Sequence, residues 1–149
     1  MLKIALNFYS QCLAFSSAER VIHRSSHFDT INTMSDFEDF TNRIIEFREK
    51  RDWKQFHTPK DLAISLMLES AEVAEHFQWK TGEELKEYID SHKSEIGDEL
   101  ADVLYWVLLM SHDLGVDLPK ALEAKMKQNE KKYPVEKSKG RHTKYTELK

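Results

Sequence analysis

A chain of 149 residues, with 22 Lys and Arg against 26 Asp and Glu, is one domain long and too acidic on balance for wholesale binding to a nucleic-acid backbone. Charged residues at 32% and aromatics at 11% describe a globular protein with a real core and no membrane partner. The single Cys12 excludes an internal disulfide and fits a reducing, cytoplasmic compartment. With only 4 Gly and 3 Pro, and strand-like alternation nearly absent, the expected fold is all-α.

Residues 1–33 differ from the rest. Met1 to Phe15 is mostly apolar with Lys3 as its one charge, and a stretch containing Ser and Arg follows through Ser26. Asn7, Ser10 and Gln11 interrupt the apolar run and no clean small-residue cleavage site follows, which argues against a signal peptide. A transit peptide is a second reading. The simpler one is a leader upstream of a folded domain at 34–134, with a basic polar tail at 135–149.

From Ser35 the helical pattern is regular. Ser35-Asp36-Phe37-Glu38 has the form of a capping box, and Phe37, Phe40, Ile44 and Phe47 recur at helical spacing to about Arg51. Asp52 to His57 is an aromatic-rich loop. Thr58-Pro59-Lys60-Asp61 opens a second helix with a cap, a first-turn proline and an acid, and this helix ends near Trp79-Lys80-Thr81-Gly82. A short helix over Glu83–Asp90 is predicted next, then a long one from Ser91 to Leu114. Gly97 inside that long helix suggests close helix approach. Asp117-Leu118-Pro119 starts a last helix with Ala121, Leu122 and Met126 as its inner face, stopping at Tyr133-Pro134. The tail beyond is expected to be mobile unless it meets a ligand or a neighbouring subunit.

Two acidic pairs carry the chemistry. Glu69-Ser70-Ala71-Glu72 lies in the second helix beside the stripe Leu62, Leu66, Val73 and Phe77. Glu99-Leu100-Ala101-Asp102 lies in the long helix beside Ile96, Leu100, Val103 and Val107. Such spacing is common on solvated helices. Its repetition beside two apolar stripes is less so, because carboxylates near a packing face are unfavourable unless their charge is neutralised. Facing each other, the two helices would gather four carboxylates, which suits a hard divalent cation. Zinc would want Cys and His, and a di-iron bundle would want a Glu-x-x-His pair on each of two helices, whereas Glu72 and His76 stand four apart and the long helix has no matching His.

Beyond the acids, the chain resembles the MazG-like all-α nucleotide pyrophosphohydrolases, and within them the dCTP-pyrophosphatase-like branch. The resemblance rests on the two acidic pairs, on Arg51-Asp52-Trp53-x-Gln55-Phe56-His57-x-Pro59 and on Glu72-Val73-Ala74-Glu75-x-Phe77-Gln78-Trp79. It continues through Asp117-Leu118-Pro119, Lys125-Met126-x-x-Asn129 and Lys132-Tyr133-Pro134, covering Ser35 to Leu148. It implies a four-helix-bundle-type fold whose subunits pack into homodimers or homotetramers. The implied activity is hydrolysis of a nucleoside triphosphate, such as dCTP or a modified dNTP, to the monophosphate and pyrophosphate with Mg²⁺, or Mn²⁺ in its place.

The resemblance also implies roles. Glu69, Glu72, Glu99 and Asp102 become metal ligands, with Glu69 or Glu72 doubling as general base. Trp53 and Trp79 sit in matching segments and become base contacts; Trp106 is a further candidate to stack on the base, with Phe56 and His57 lining the loop. Lys125 and Asn129, one turn apart on the last helix, with Lys132, are candidates to hold phosphate or sugar. Trp106 stands where the family commonly has Tyr. Ile44 departs from the pattern at a position where some dCTP-preferring relatives carry a base-contacting His. Two other functions share such a scaffold: a bundle that binds nucleotide without turnover, and a phosphoribosyl-ATP-type pyrophosphohydrolase, which the Trp-rich motifs fit less well.

Overall fold

Short polar residues set the helix ends. Thr58 accepts a hydrogen bond from the Asp61 amide at 3.3 Å, and Pro59 follows in the first turn. Asp117 does the same with the Lys120 amide at 3.0 Å. The computed structural model of the chain describes residues 33–148, so the leader lies outside the described residues but for its last position. Among the described residues the elements are α1 (Thr33–Glu49), a 3-10 turn (Lys54–Phe56), α2 (Pro59–Phe77), α3 (Gly82–Ser91), α4 (Lys93–Asp113), α5 (Leu118–Lys132), α6 (Val135–Ser138) and a final 3-10 turn (Tyr145–Glu147). No strand occurs among them, and the class is all-α as expected.

Two helix ends close with the same device. After α4, Val116 N–H bonds to the Ser111 carbonyl at 2.8 Å and Gly115 N–H to that of His112 at 3.1 Å, with Gly115 at φ +65°. After α1, Trp53 N–H reaches the Arg48 carbonyl at 3.2 Å and Asp52 N–H that of Glu49 at 3.0 Å, with Asp52 at φ +52°. Asp tolerates the left-handed region better than most side chains. This closure delivers Trp53 to the start of the loop.

The most extensive packing is between α2 and α4, with α1 against α4 and α3 touching α4. Leu62, Trp106, Leu108 and Leu109 form the buried apolar core. Beside them Arg48 is 0% exposed, and its guanidinium donates to both Asp113 oxygens, at 2.6 and 3.1 Å. The C-terminal ends of α1 and α4 therefore meet.

Several expectations need correction. Helix α1 runs through Ser35, which places that residue within the first turn rather than at a cap. Nothing lies within 4 Å of a Cβ built on Gly97, so no close helix approach uses it. The face Ala121, Leu122 and Met126 is exposed, with Leu122 at 62%, because α5 does not pack extensively on the other helices. In the tail, α6 and the last 3-10 turn form, and Tyr145 meets Tyr133 edge-on at 5.9 Å, which leaves the expectation about its mobility untested.

Candidate active site

The inward face of α2 reads Leu62, Ser65, Glu69, Glu72 and His76, in steps of three and four. That of α4 reads Glu99, Asp102, Trp106, Leu109 and Asp113. Each stripe runs from buried residues into half-buried acids. Of the expected stripes, Leu62 is buried and Leu66, Val73, Ile96, Val103 and Val107 are half-buried, while Leu100 (53%) and Phe77 are exposed. Glu69 was expected almost within its stripe and the other acids at the borders of theirs; all four are half-buried along the packing faces.

Glu69, Glu99 and Asp102 each place a carboxylate oxygen so that the three lie within 4.8 Å of one another. Glu72 is outside this triad, yet its charge helps raise the carboxyls of all three members. Burial is the largest cause in each case, since a half-dry carboxylate is poorly solvated. It lifts Glu69 to about 7, a hydrogen bond from Trp106 works against it, and Asp102, Glu72 and Glu99 add repulsion. Asp102 rises to about 6 through burial, then Glu99, Asp98 and Glu72. Glu99 rises through burial and Glu72, and His76 pulls it back. The His76 Nδ1 sits 2.9 Å from the Tyr88 hydroxyl on α3. The donor set is all oxygen, which fits a hard cation and matches neither zinc nor a di-iron pair.

The aromatic residues divide. Trp106 is 6% exposed, and its Nε1 donates to Glu69 Oε1 at 3.3 Å, so it touches the acids from the core and offers no open face to a base. His57 lies edge-on to Trp106 at 5.5 Å, with its Nδ1 buried and unpaired; burial and then the Arg48 charge lower its pKa, favouring the neutral ring. Trp53 is half-buried and edge-on to Phe47 at 5.9 Å, while the Arg51 guanidinium lies 3.6 Å over the Phe47 ring. Trp79 is 89% exposed at φ +69°, a left-handed conformation that a bulky side chain adopts only under strain. Lys125 is exposed and Asn129 half-buried, both on α5. The Lys132 Nζ lies 5.0 Å over the Tyr145 ring. No side-chain hydrogen bond or ion pair joins these three to the acids.

Sequence reasoning missed the Arg48–Asp113 pair. A signal existed: Arg48 stands one turn after Ile44, within the apolar stripe of the first helix. The mutual attraction depresses the Asp113 carboxyl against its burial, and Asp113 likewise keeps Arg48 charged despite burial.

Comparisons with known proteins show what the chain is similar to. The model of the MazG-like family matches residues 64–148. Bovine dCTP pyrophosphatase 1 (Bos taurus) is 39% identical over 113 residues, covering 74% of this chain and 67% of that enzyme. The Homo sapiens enzyme of the same name is 38% identical over 113 residues, covering 74% of this chain and 66% of its own. The match thus spans about two thirds of these relatives' length. A pyrophosphatase from Archaeoglobus fulgidus superposes with a TM-score of 0.62 at 36% identity, over 76% of this chain and 99% of that one.

Proposed function

The chain belongs to the MazG-like family, and from that premise we infer that it is a nucleoside triphosphate pyrophosphohydrolase, releasing the monophosphate and pyrophosphate. The proposed substrate is dCTP or a related pyrimidine or modified dNTP, a choice supported by the likeness to dCTP pyrophosphatase 1. The proposed place of work is the cytoplasm, in control of the nucleotide pool; a single cysteine is compatible with a reducing compartment.

The observation that carries the reading is the triad of Glu69, Glu99 and Asp102 on two packed helix faces. Burial first, and then the repulsion of neighbouring acids, raises all three carboxyls, Glu69 to about 7 and Asp102 to about 6; a cation would relieve both, and their oxygens suit Mg²⁺ or Mn²⁺. When bound, such an ion supplies Lewis-acid polarisation of a phosphate and a more acidic water. Glu69, Glu99 and Asp102 would hold it. Glu72, beside the triad and free of it, is the proposed acceptor of the proton from the attacking water, with Glu69 as the second choice. Trp53 and the exposed Trp79 would hold the base, and His57 keeps its neutral ring against Trp106. Lys125, Asn129 and Lys132 are the proposed contacts to the outer phosphates. With the α-phosphate beside the acids, water adds to the α-phosphorus and the bond to the bridging α–β oxygen breaks.

We further propose a homo-oligomer. Phe37 (45%), Phe40 (50%), Leu100 (53%), Leu104 (42%), Leu122 (62%) and Met126 (48%) are exposed in the single chain, more apolar helix face than a monomer normally leaves wet.

A screen of standard and modified dNTPs with Mg²⁺ tests the activity, and hydrolysis in ¹⁸O-labelled water tests the bond. Label in the monophosphate, with intact pyrophosphate, is expected. Label in orthophosphate, with a nucleoside diphosphate as product, would overturn the reading.

A further inference from the structure

We propose that Trp106 is a positioning residue for the acid triad: its indole N–H sets the orientation of the Glu69 carboxylate toward Glu99 and Asp102. The inference rests on the acid site described above and adds to it a donor from the adjoining core that acts on the triad through Glu69. The hydrogen bond crosses between helices, from α4 to α2, and joins residues 37 positions apart at 3.3 Å. The donor is well fixed. His57 packs edge-on against the indole at 5.5 Å and 71°, and Tyr105 meets it at 5.1 Å and 80°. Trp106 itself is 6% exposed, whereas Glu69 is half-buried at the end of a flexible side chain. A glutamate left to rotate must be ordered when it takes a ligand, and that ordering opposes binding. With one oxygen already held by a rigid donor, the carboxylate plane is set and its other lone pairs remain for the triad's ligand. Partners of this outer kind commonly set metal affinity within a factor of 10–100.

A core-filling role alone would predict a loss of melting temperature and nothing else. The test is therefore Mn²⁺ binding by calorimetry on the full chain without nucleotide, comparing wild type with Trp106→Phe, alongside metal-free melting curves. Phe keeps an aromatic ring and removes the N–H. The expected result is a Mn²⁺ Kd weaker by about 10-fold or more. An unchanged Kd, whatever the melting temperature does, would overturn the inference while leaving the acid site standing. Absence of Mn²⁺ binding in wild type would overturn the acid site, and this inference with it. Should Trp106→Phe not fold, the wild-type chain still decides. Its three tryptophans give three indole ¹H–¹⁵N signals, assignable with Trp53→Phe and Trp79→Phe. The Trp106 signal is expected to shift saturably with Mg²⁺. A signal that stays in place at saturation would refute the assignment.

Discussion

At the scale of single residues, the three triad carboxyls give the sharpest expectations. Glu99→Gln or Asp102→Asn should lower kcat/KM by more than about 100-fold, since losses from outer partners alone reach that range. Melting of the metal-free protein should not fall, because each change relieves repulsion within the triad. Pyrophosphate release and thermal melts with and without Mg²⁺ check both halves. The raised carboxyls also set a pH dependence. Glu69, at about 7, and Asp102, at about 6, bind protons in the folded state at pH values where the unfolded chain has released them. Stability of the metal-free protein should therefore decline as pH rises from about 5 to 8. Added Mg²⁺ should offset that decline, and melts across the range in chelator and in Mg²⁺ will show whether it does.

At the scale of elements, Arg48 and Trp79 put opposite demands on their helix ends. Arg48 is fully buried and joins the ends of α1 and α4 through Asp113. Arg48→Met leaves the Asp113 charge without that partner and should cost about 3 kcal/mol in urea unfolding. Asp113 adds an acid limit: its depressed carboxyl contributes stability above its unfolded value, and that contribution is lost as pH falls through the lower folded one. Trp79 sits in the left-handed region just past α2 with its side chain in solvent. Trp79→Gly relieves roughly 1 kcal/mol of backbone strain and should leave melting unchanged or higher. If Trp79 holds the base, KM should nonetheless rise several-fold, and steady-state kinetics beside melting curves separate the two effects.

At the scale of the whole molecule, α1, α2 and α4 close on one another while α5 stands apart with Leu122 and Met126 exposed. The proposed oligomer should appear in sedimentation equilibrium as a dimer or larger. Phe40→Asp combined with Leu122→Asp should shift it toward monomer, because charges cannot be desolvated in such a contact. A monomer in wild type at micromolar concentration would rule the assembly out. Among the described residues no helix is long and apolar enough to cross a membrane.

What was legible in the sequence is what local chemistry decides. Thr58-Pro59 and Asp117-Leu118-Pro119 announced two helix starts, because caps need particular side chains. The all-α class followed from periodicity, and the family from several short motifs in order. The meeting of Glu69, Glu99 and Asp102 was foreseeable in kind, as repeated acids near two packing faces. The edges of those faces were not, because periodicity locates a stripe only coarsely when both sides of a helix carry apolar groups. That is why Leu100 and Phe77 were assigned inward and are exposed. Ser35 failed as a cap because its sequence pattern also suits a first turn. Only the tertiary structure paired Arg48 with Asp113 and Trp106 with Glu69, residues 65 and 37 apart, since side-chain contacts between helices depend on which faces meet. It alone also left the apolar side of α5 bare, an arrangement decided by packing rather than by the pattern along the chain.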